Sequence, residues 1–227
     1  MKSAPRLRVL VVDDHPLMRQ SIIESMDRTP DLTVCAEAAN VPDAILLLEN
    51  AHPDMVLTDL SIPDQNAFRF IEYASGKHPE IPVLVFSMHN DAIHAPRAFR
   101  AGAAGYVMKG SGIDPLLLAT RRVLDGGIYL SDWVRSDLVR HLGLTDSGES
   151  RAPFERLTEA EQLAFEALGR RTTGSGLLAL TKCTAGDLAG RQVQIKRKLH
   201  LPNDVAVIHH AILWHEAGGK TKNKFEE

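Results

Sequence analysis

Cysteine is scarce in this 227-residue sequence, which has only Cys35 and Cys183. The two stand far apart and form neither a CxxC pair nor a metal-type cluster, so a disulfide framework or a zinc site has little support, and we expect buried thiols.

Long apolar runs are also lacking, and none approaches the roughly 18 residues of a membrane helix. The first run, Leu7–Val12, is too short for a signal peptide and ends in two aspartates. We therefore expect a cytoplasmic protein without a membrane segment.

Charge is unevenly distributed along the chain. Residues 1–150 carry 14 Lys and Arg against 20 Asp and Glu, a net charge of −6, whereas the remaining residues carry 12 and 9, a net charge of +3. An acidic part is therefore followed by a mildly basic one. This asymmetry permits nucleic-acid binding by the second part, although +3 is too small to predict it alone.

The first part alternates short β-branched runs with amphipathic stretches. Apolar runs fall at 7–12, 32–36, 55–58, 83–86 and 105–108, and amphipathic stretches at 17–26, 43–48, 68–73 and 116–124. Brief strands that are apolar on both faces are typical of a parallel sheet covered by helices. The pattern predicts a five-stranded, doubly wound parallel α/β domain.

Polar side chains stand where these predicted strands end. They are three carboxylates, one hydroxyl and one ammonium: Asp13, Asp14, Asp59, Ser87 and Lys109. In a parallel sheet the carboxyl ends of the strands share one rim, and ligands bind there. We therefore expect these five side chains to converge on one site.

The chemistry of this set points to phosphoryl transfer. Three clustered carboxylates repel one another unless a cation lies among them. Oxygen ligands without His or Cys suit Mg²⁺, which can bridge a carboxylate to a phosphate. A carboxylate can attack phosphorus, while the metal and a lysine neutralise the charge of the equatorial oxygens.

Four segments carry a family resemblance: LRVLVVDDHPLMRQSI, DMVLTDLSIPDQNAF, VLVFSMH and RAGAAGYVMKG. They resemble the receiver domain of bacterial two-component response regulators, in the NarL/FixJ-like subfamily with a LuxR-type helix-turn-helix output. The resemblance covers about residues 7–130. It implies a flavodoxin-like receiver, a cognate histidine kinase as partner, dimerisation upon phosphorylation, and no enzymatic activity beyond the receiver's own phosphoryl transfer and dephosphorylation.

The resemblance also assigns roles to individual residues. Asp59 is then the phosphoacceptor, and Ser87 and Lys109 hold the phosphoryl oxygens. Mg²⁺ is bound by Asp13, Asp14 and Asp59 together with the backbone carbonyl of Ser61. Tyr106 matches the aromatic residue whose rotation accompanies the movement of Ser87.

Simpler interpretations stay open for some of these residues. Asp13 and Asp14 could cap the helix that starts near His15 and Pro16. Ser87 could be a loop serine and Tyr106 a core aromatic residue. We assign no catalytic role to His15 or His89, which flank the site.

Two departures from the receiver pattern concern the helices around the site. Pro96 falls inside the expected fourth helix, where it removes one backbone hydrogen bond, so we expect this helix to be kinked or shortened. Ala67 stands where the family has a glycine, after Asn66, which requires that the turn avoid positive φ at Ala67.

The second part predicts a small helical domain. Residues 142–153 are polar and rich in turn residues, and we expect an exposed linker there. Four helical patterns follow at 158–168, 177–180, 185–199 and 204–216, the first opened by a capping box. We therefore predict a receiver at 1–130, a helix and linker at 131–153, a helix-turn-helix-like all-α domain at 154–218 and a tail at 219–227.

The third of these patterns aligns with the DNA-reading helix of the LuxR-type domain, but its match is poor. The turn position is Lys182, Gly186 and Gly190 weaken the helix, and the base-reading positions fall on Ala189, Gly190 and Val193, which lack side-chain donors. A basic cluster remains, suited to phosphate contacts or simply to a solvated helix face: Arg191, Lys196, Arg197 and Lys198. Two hypotheses follow, a phosphorylation-controlled transcription regulator that binds DNA as a dimer, or a receiver with a degenerate output that binds a protein partner.

Overall fold

A computed structural model describes residues 5–62, 67–89, 91–130, 156–170, 181, 183–201 and 203–216. The chain divides into two compact units, Met1–Val134 and Arg135–Glu227. Several predicted features lie outside the described residues: Asn66, the helix and linker at 131–153, the helix at 177–180, Lys182 and the tail at 219–227. The boundaries between the predicted domains therefore stay predictions.

The N-terminal unit is built on a five-stranded parallel sheet with the order β2-β1-β3-β4-β5. The strands are β1 (Leu7–Val12), β2 (Leu32–Ala38), β3 (Met55–Thr58), β4 (Val83–Ser87) and β5 (Gly105–Met108). Every residue of β3 and β4 is buried, as expected for strands covered on both faces. The predicted strands and the doubly wound α/β class are confirmed, and β2 and β4 extend slightly further than predicted.

Five helices connect and cover these strands. They are α1 (Pro16–Asp27), α2 (Val41–Asn50), α3 (Ala67–Lys77), α4 (Asp91–Ala101) and α5 (Ile113–Leu124). Two arginines near the start of β1 donate to carbonyls at helix ends: Arg6 to those of Met26 and Asp27, and Arg8 to that of Ala51. These bonds fix the carboxyl ends of α1 and α2 beside the sheet.

Helix α4 does not end at Pro96, so the expected shortening is wrong, and the alternative of a kink stays a prediction. It continues for five more residues to Ala101. Pro96 is the sixth residue of the helix, so its missing N–H removes only one hydrogen bond, just after the first turn. The expectation for Ala67 is confirmed, because this buried residue begins α3 and does not have positive φ.

The C-terminal unit contains three described helices, α6 (Glu159–Gly169), α7 (Ala185–Lys198) and α8 (Asp204–Glu216). Capping boxes open α6 at Thr158 and α7 at Thr184. A Cβ at Gly169 would overlap the carbonyl of Ala211, so α6 and α8 pack closely at that point. Their core includes Phe165 and Trp214, whose rings meet edge to face at 6.0 Å.

Two expectations about composition have structural outcomes. Cys35 and Cys183 are free, but both are half-buried rather than buried. Cys35 lies on the edge strand β2, where only one side of the strand is paired, which leaves part of its side chain accessible. Among the described residues, no helix is long and apolar enough to cross a membrane.

Candidate functional site

The strand ends of the N-terminal unit bring the predicted site residues together. Asp13 follows β1 and Asp59 follows β3, and the Asp59 amide donates to the Val12 carbonyl at 2.9 Å, which extends the pairing of the two strands. Ser87 is the last residue of β4, and Lys109 directly follows β5. All four are buried in spite of their polarity. A buried polar cluster at a strand rim is where a ligand site is expected in this architecture.

Lys109 lies between two carboxylates. Its Nζ is 2.6 Å from Asp13 Oδ2 and 2.8 Å from Asp59 Oδ2, and the three side chains are at most 2% exposed. Because a buried charge is costly unless it is paired, the ammonium and the carboxylates depend on one another. The arrangement holds the Asp59 carboxylate ionised in a place closed to bulk water.

The pKa values of this pair reflect the same balance. Burial opposes ionisation of Asp59, but the hydrogen bond and charge of Lys109 outweigh it and hold the pKa of Asp59 below its ordinary value. Burial likewise opposes the charged form of Lys109, but its bonds to Asp13 and Asp59 raise its pKa. At neutral pH Asp59 is therefore a carboxylate and Lys109 an ammonium.

Further donors surround the Asp59 carboxylate. The amide of Leu60 donates to Oδ1 at 2.6 Å, and the Ser87 hydroxyl and the Ser61 amide are near enough to help lower the pKa of Asp59. The structure thus brings Ser61 and Ser87 to the residue beside which they were predicted. Such donors can stabilise negative charge that develops on a group attached to Asp59.

Three aspartates provide oxygen ligands of the kind that Mg²⁺ requires. Ligand atoms of Asp13, Asp14, Asp59 and His15 lie within 4.8 Å of one another. Asp14 Oδ1 is buried and accepts no hydrogen bond among the described residues; His15 Nδ1 lies 2.8 Å from it without hydrogen-bond geometry. A hard cation would satisfy this oxygen, so the residues present fit Mg²⁺. Asp13 also accepts the amide of His15, but His15 is the N-cap residue of α1 and no described side chain caps this helix, so the alternative that the aspartates cap it is wrong.

Tyr106 connects β5 to the loop that follows Ser87. Its ring is buried, with 2% exposure, and its hydroxyl donates to the main-chain carbonyl of His89 at 3.1 Å. The amide of His89 in turn donates to Ser87 Oγ at 3.3 Å. Tyr106 is therefore both a core residue and a contact of the loop, and a shift of Ser87 would move the carbonyl to which the Tyr106 hydroxyl donates.

Two residues near the site were not predicted to contribute to it. His15 joins the acidic cluster, and Arg19 donates to the main-chain carbonyl of Asp13 at 2.8 Å. The only trace of either in the sequence is its spacing after Asp13 and Asp14, which places both at the start of the next helix. Spacing of this kind does not reveal a contact that runs back to the preceding strand.

In the C-terminal unit, helix α7 presents small side chains to solvent. Gly186, Ala189 and Gly190 are exposed, and Val193 is 49% exposed. A Cβ at Gly190 would meet no atom within 4 Å. The side chains on this face contain no hydrogen-bond donor at the predicted base-reading positions.

The predicted basic cluster on α7 is largely engaged within the unit. Lys196 Nζ lies 2.6 Å from Asp204 Oδ1, and Lys198 Nζ lies 2.6 Å from Glu161 Oε2. Arg191 donates to the carbonyl of Ala160 at 3.4 Å. Arg197 is exposed and belongs to no ion pair among the described residues. The four side chains therefore lie on one helix but are not equally available to contact a partner.

Comparison with known proteins agrees with this geometry. Residues 9–121 match the response regulator receiver domain family. The chain is 31% identical over 164 residues to the response regulator GacA of Pseudomonas protegens, which covers 72% of this chain and 76% of that protein. It is 28% identical over 189 residues to the transcriptional regulatory protein DegU of Brevibacillus brevis, covering 76% of this chain and 80% of that one.

Solved structures show the same fold. A two-component response regulator of the LuxR family from Aurantimonas is 31% identical and superimposes with a TM-score of 0.56, over 60% of this chain and 98% of that chain. The RcsB response regulator of Salmonella typhimurium, at 20% identity, has a TM-score of 0.54 over 91% of this chain and 98% of that chain. The second likeness concerns the fold alone.

Proposed function

Because this chain belongs to the two-component response regulators that carry a receiver domain, we propose that Asp59 accepts a phosphoryl group from a cognate histidine kinase. The observation that carries the proposal is the buried Asp59 carboxylate, held ionised by Lys109 and bordered by the hydroxyl of Ser87. In this reaction a carboxylate oxygen attacks phosphorus, the new O–P bond forms, and the P–N bond to the kinase histidine breaks. The cytoplasmic location expected from the sequence is part of the same proposal.

The residues around Asp59 take distinct parts in this transfer. Asp13, Asp14 and Asp59 would hold Mg²⁺, with the backbone carbonyl of Ser61 as a further ligand, and the ion would neutralise charge on the transferred oxygens. Lys109 already contacts the acceptor and lies within reach of a phosphoryl oxygen attached to it. Ser87 donates its hydroxyl to another of these oxygens.

Phosphorylation of Asp59 would then change the loop after β4. A bond from Ser87 to a phosphoryl oxygen draws this loop toward Asp59, and Tyr106 follows through its hydrogen bond to His89. The face formed by α4, β5 and α5 changes shape, and we propose that it forms a homodimer. If a phosphoryl mimic leaves the mass in solution unchanged at micromolar concentration, this switch is wrong.

Labelling with a small phosphodonor tests the acceptor assignment. In the presence of Mg²⁺, the chain should gain one phosphoryl group, and Asp59→Asn should abolish it. Asp54→Asn is the matched control, because Asp54 precedes the same strand at its opposite end. Undiminished labelling of Asp59→Asn would refute the assignment.

For the C-terminal unit we propose DNA binding that regulates transcription. The support is the likeness to DegU, a transcriptional regulatory protein, and the basic side chains on the capped helix α7. A mobility shift of the phosphorylated chain on pooled genomic fragments tests this proposal directly. Binding at about 50 mM salt is expected, since low salt favours contacts with phosphates.

Protein-partner binding is the second candidate. It is favoured by the exposed apolar face at Ala189, Gly190 and Val193 and by the engagement of Lys196 and Lys198 inside the unit. If the chain shows no DNA affinity at about 50 mM salt, protein-partner binding replaces DNA binding as the proposed function of this unit.

A further inference from the structure

Arg19 connects three elements beside the acidic cluster. It lies in the first turns of α1, and its side chain is only 17% exposed. Its Nη1 donates to the main-chain carbonyl of Asp13 at 2.8 Å, and its Nε donates to Glu37 Oε2, on the edge strand β2, at 2.8 Å. The guanidinium is therefore held by two bonds in fixed directions, as its planar fork allows.

The main chain of Asp13 is fixed on both sides as a result. Its amide donates to the Ala38 carbonyl at 3.0 Å, which continues the pairing of β1 with β2, and its carbonyl accepts from Arg19. This carbonyl belongs to the peptide group that joins Asp13 to Asp14. Because a peptide group is planar, a bond to its oxygen also fixes the orientation of the Asp14 amide.

The carboxylates on either side of this peptide have demanding positions. Asp13 Oδ2 must stay 2.6 Å from Lys109 Nζ, and Asp14 Oδ1 is the buried acceptor without a hydrogen bond among the described residues. Mg²⁺ tolerates little departure from octahedral geometry. A shift of the main chain at this peptide would move both carboxylates relative to Asp59 at once.

We propose that Arg19 is a positioning residue for the cation site, which it serves by fixing the peptide group between Asp13 and Asp14. The proposal rests on the proposed function, in which these aspartates and Asp59 hold Mg²⁺. Glu37 supports Arg19 by directing its guanidinium; since Glu37 is 52% exposed, its own effect is the smaller one.

Direct measurement of Mg²⁺ binding to the full chain tests this role. Arg19→Met removes both hydrogen bonds and keeps an unbranched apolar stem, and Glu37→Gln weakens the support of Arg19. The matched control is Arg28→Met, because Arg28 follows the same helix and pairs with exposed Glu24 at 3.4 Å, away from the cluster. By calorimetric titration, we expect the Mg²⁺ dissociation constant to rise about tenfold in Arg19→Met, to rise less in Glu37→Gln, and to stay unchanged in Arg28→Met.

Phosphodonor labelling at varied Mg²⁺ supplies a second readout. The half-saturating Mg²⁺ concentration should rise about tenfold in Arg19→Met, while the rate at saturating Mg²⁺ stays within about twofold of the original, since Asp59 and Lys109 are intact. Arg19→Lys, which can restore one of the two bonds, should recover part of the Mg²⁺ affinity.

The outcomes separate this inference from the function on which it rests. If the unmodified chain fails to bind Mg²⁺, the proposed function is wrong. If it binds Mg²⁺ and Arg19→Met binds equally well, the positioning role is wrong, even where the variant unfolds at a lower temperature. Should Arg19→Met fail to fold, Glu37→Gln decides in its place, and an unchanged dissociation constant in that variant overturns the proposal.

Discussion

The two units of the chain place their charged side chains in opposite ways. In the N-terminal unit, Asp13, Asp59 and Lys109 converge in a buried pocket where each charge depends on the others. In the C-terminal unit, Lys196 and Lys198 pair with acidic residues of neighbouring helices and remain about one-third exposed. Buried convergence creates a reactive group, whereas pairing at the surface removes charge from a potential binding face.

This difference makes the two units unequally sensitive to loss of one charge. In the pocket, loss of one partner leaves a buried charge unpaired. On helix α7, solvent screens the charge that a substitution leaves without its partner. Five experiments test how the two units respond to single substitutions.

The largest effect is expected from Lys109→Met, which leaves the Asp13 and Asp59 carboxylates buried beside each other. At pH 7 the free energy of unfolding should fall by about 3 kcal/mol, as for other broken buried pairs. Urea denaturation measures the loss. Lys77→Met is the matched control, since solvent screens the surface pair of Lys77 with Glu49 and its loss should lower stability much less.

The pH dependence of the same variant gives a sharper test. In the unmodified chain the pKa of Asp59 lies below its ordinary value of 3.8. The ion pair of Asp59 with Lys109 therefore stabilises the fold above pH 3.8, and this stabilisation is lost as the pH falls further. Without Lys109, burial and the neighbouring carboxylates raise the pKa of Asp59, so acid relieves the repulsion. The stability difference should therefore narrow from pH 7 toward pH 4, and a constant difference would contradict the buried-charge explanation.

Salt dependence of DNA binding compares the free and the paired cations of α7. Arg197→Ala should flatten the slope of log affinity against log salt by about 0.9, because one phosphate contact is lost. Asp204→Asn should steepen it by up to about 0.9, because Lys196 is released from its 2.6 Å pair. Filter binding over a range of salt measures both. Equal flattening by Arg197→Ala and Lys196→Ala would show that the ion pair does not withhold Lys196 from DNA.

Gly190→Ala should stabilise the C-terminal unit by up to about 1 kcal/mol, since the helix interior disfavours glycine and the added Cβ meets no atom within 4 Å. Gly169→Ala is the contrasting variant. Its Cβ would overlap the Ala211 carbonyl, and stability should fall. Circular dichroism during thermal unfolding measures both changes. A stabilised Gly190→Ala that also binds its target less well would indicate that a partner approaches the backbone at this position.

The smallest effect is expected from Asp31→Asn, which removes a bidentate ion pair with Arg121 at 2.7 and 3.0 Å. Both side chains are more than 40% exposed, so screening limits the loss to about 0.5 kcal/mol at pH 7. The Arg121 hydrogen bond lowers the pKa of Asp31 from 3.8 to about 2. The contribution is therefore present above pH 3.8 and disappears as the pH falls toward 2. A difference that persists in 1 M salt would show that more than charge is involved.

Much of the fold of the N-terminal unit was predictable because local pattern and topology agree there. Apolar runs bounded by polar residues predict β1, β3 and β5 with the observed bounds. The path of α4 through Pro96 was not predictable in this way. Pro96 is the middle residue of α4, and the cost of its missing hydrogen bond is offset where the helix packs on the sheet, which is not part of the local pattern.

The chain's sequence by itself determined the chemistry of the site and its place in the fold. Asp13, Asp59, Ser87 and Lys109 stand at the ends of parallel strands, and the topology of such a sheet brings strand ends together whatever the details of packing. Tertiary structure alone decided which side chains support or withhold these charges. The hydrogen bond of Arg19 to Asp13 runs from helix α1 back to the end of β1. The ion pair of Lys198 with Glu161 joins two helices that are distant in sequence. Such contacts depend on how helices cross and how far side chains reach, which neither periodicity nor spacing specifies.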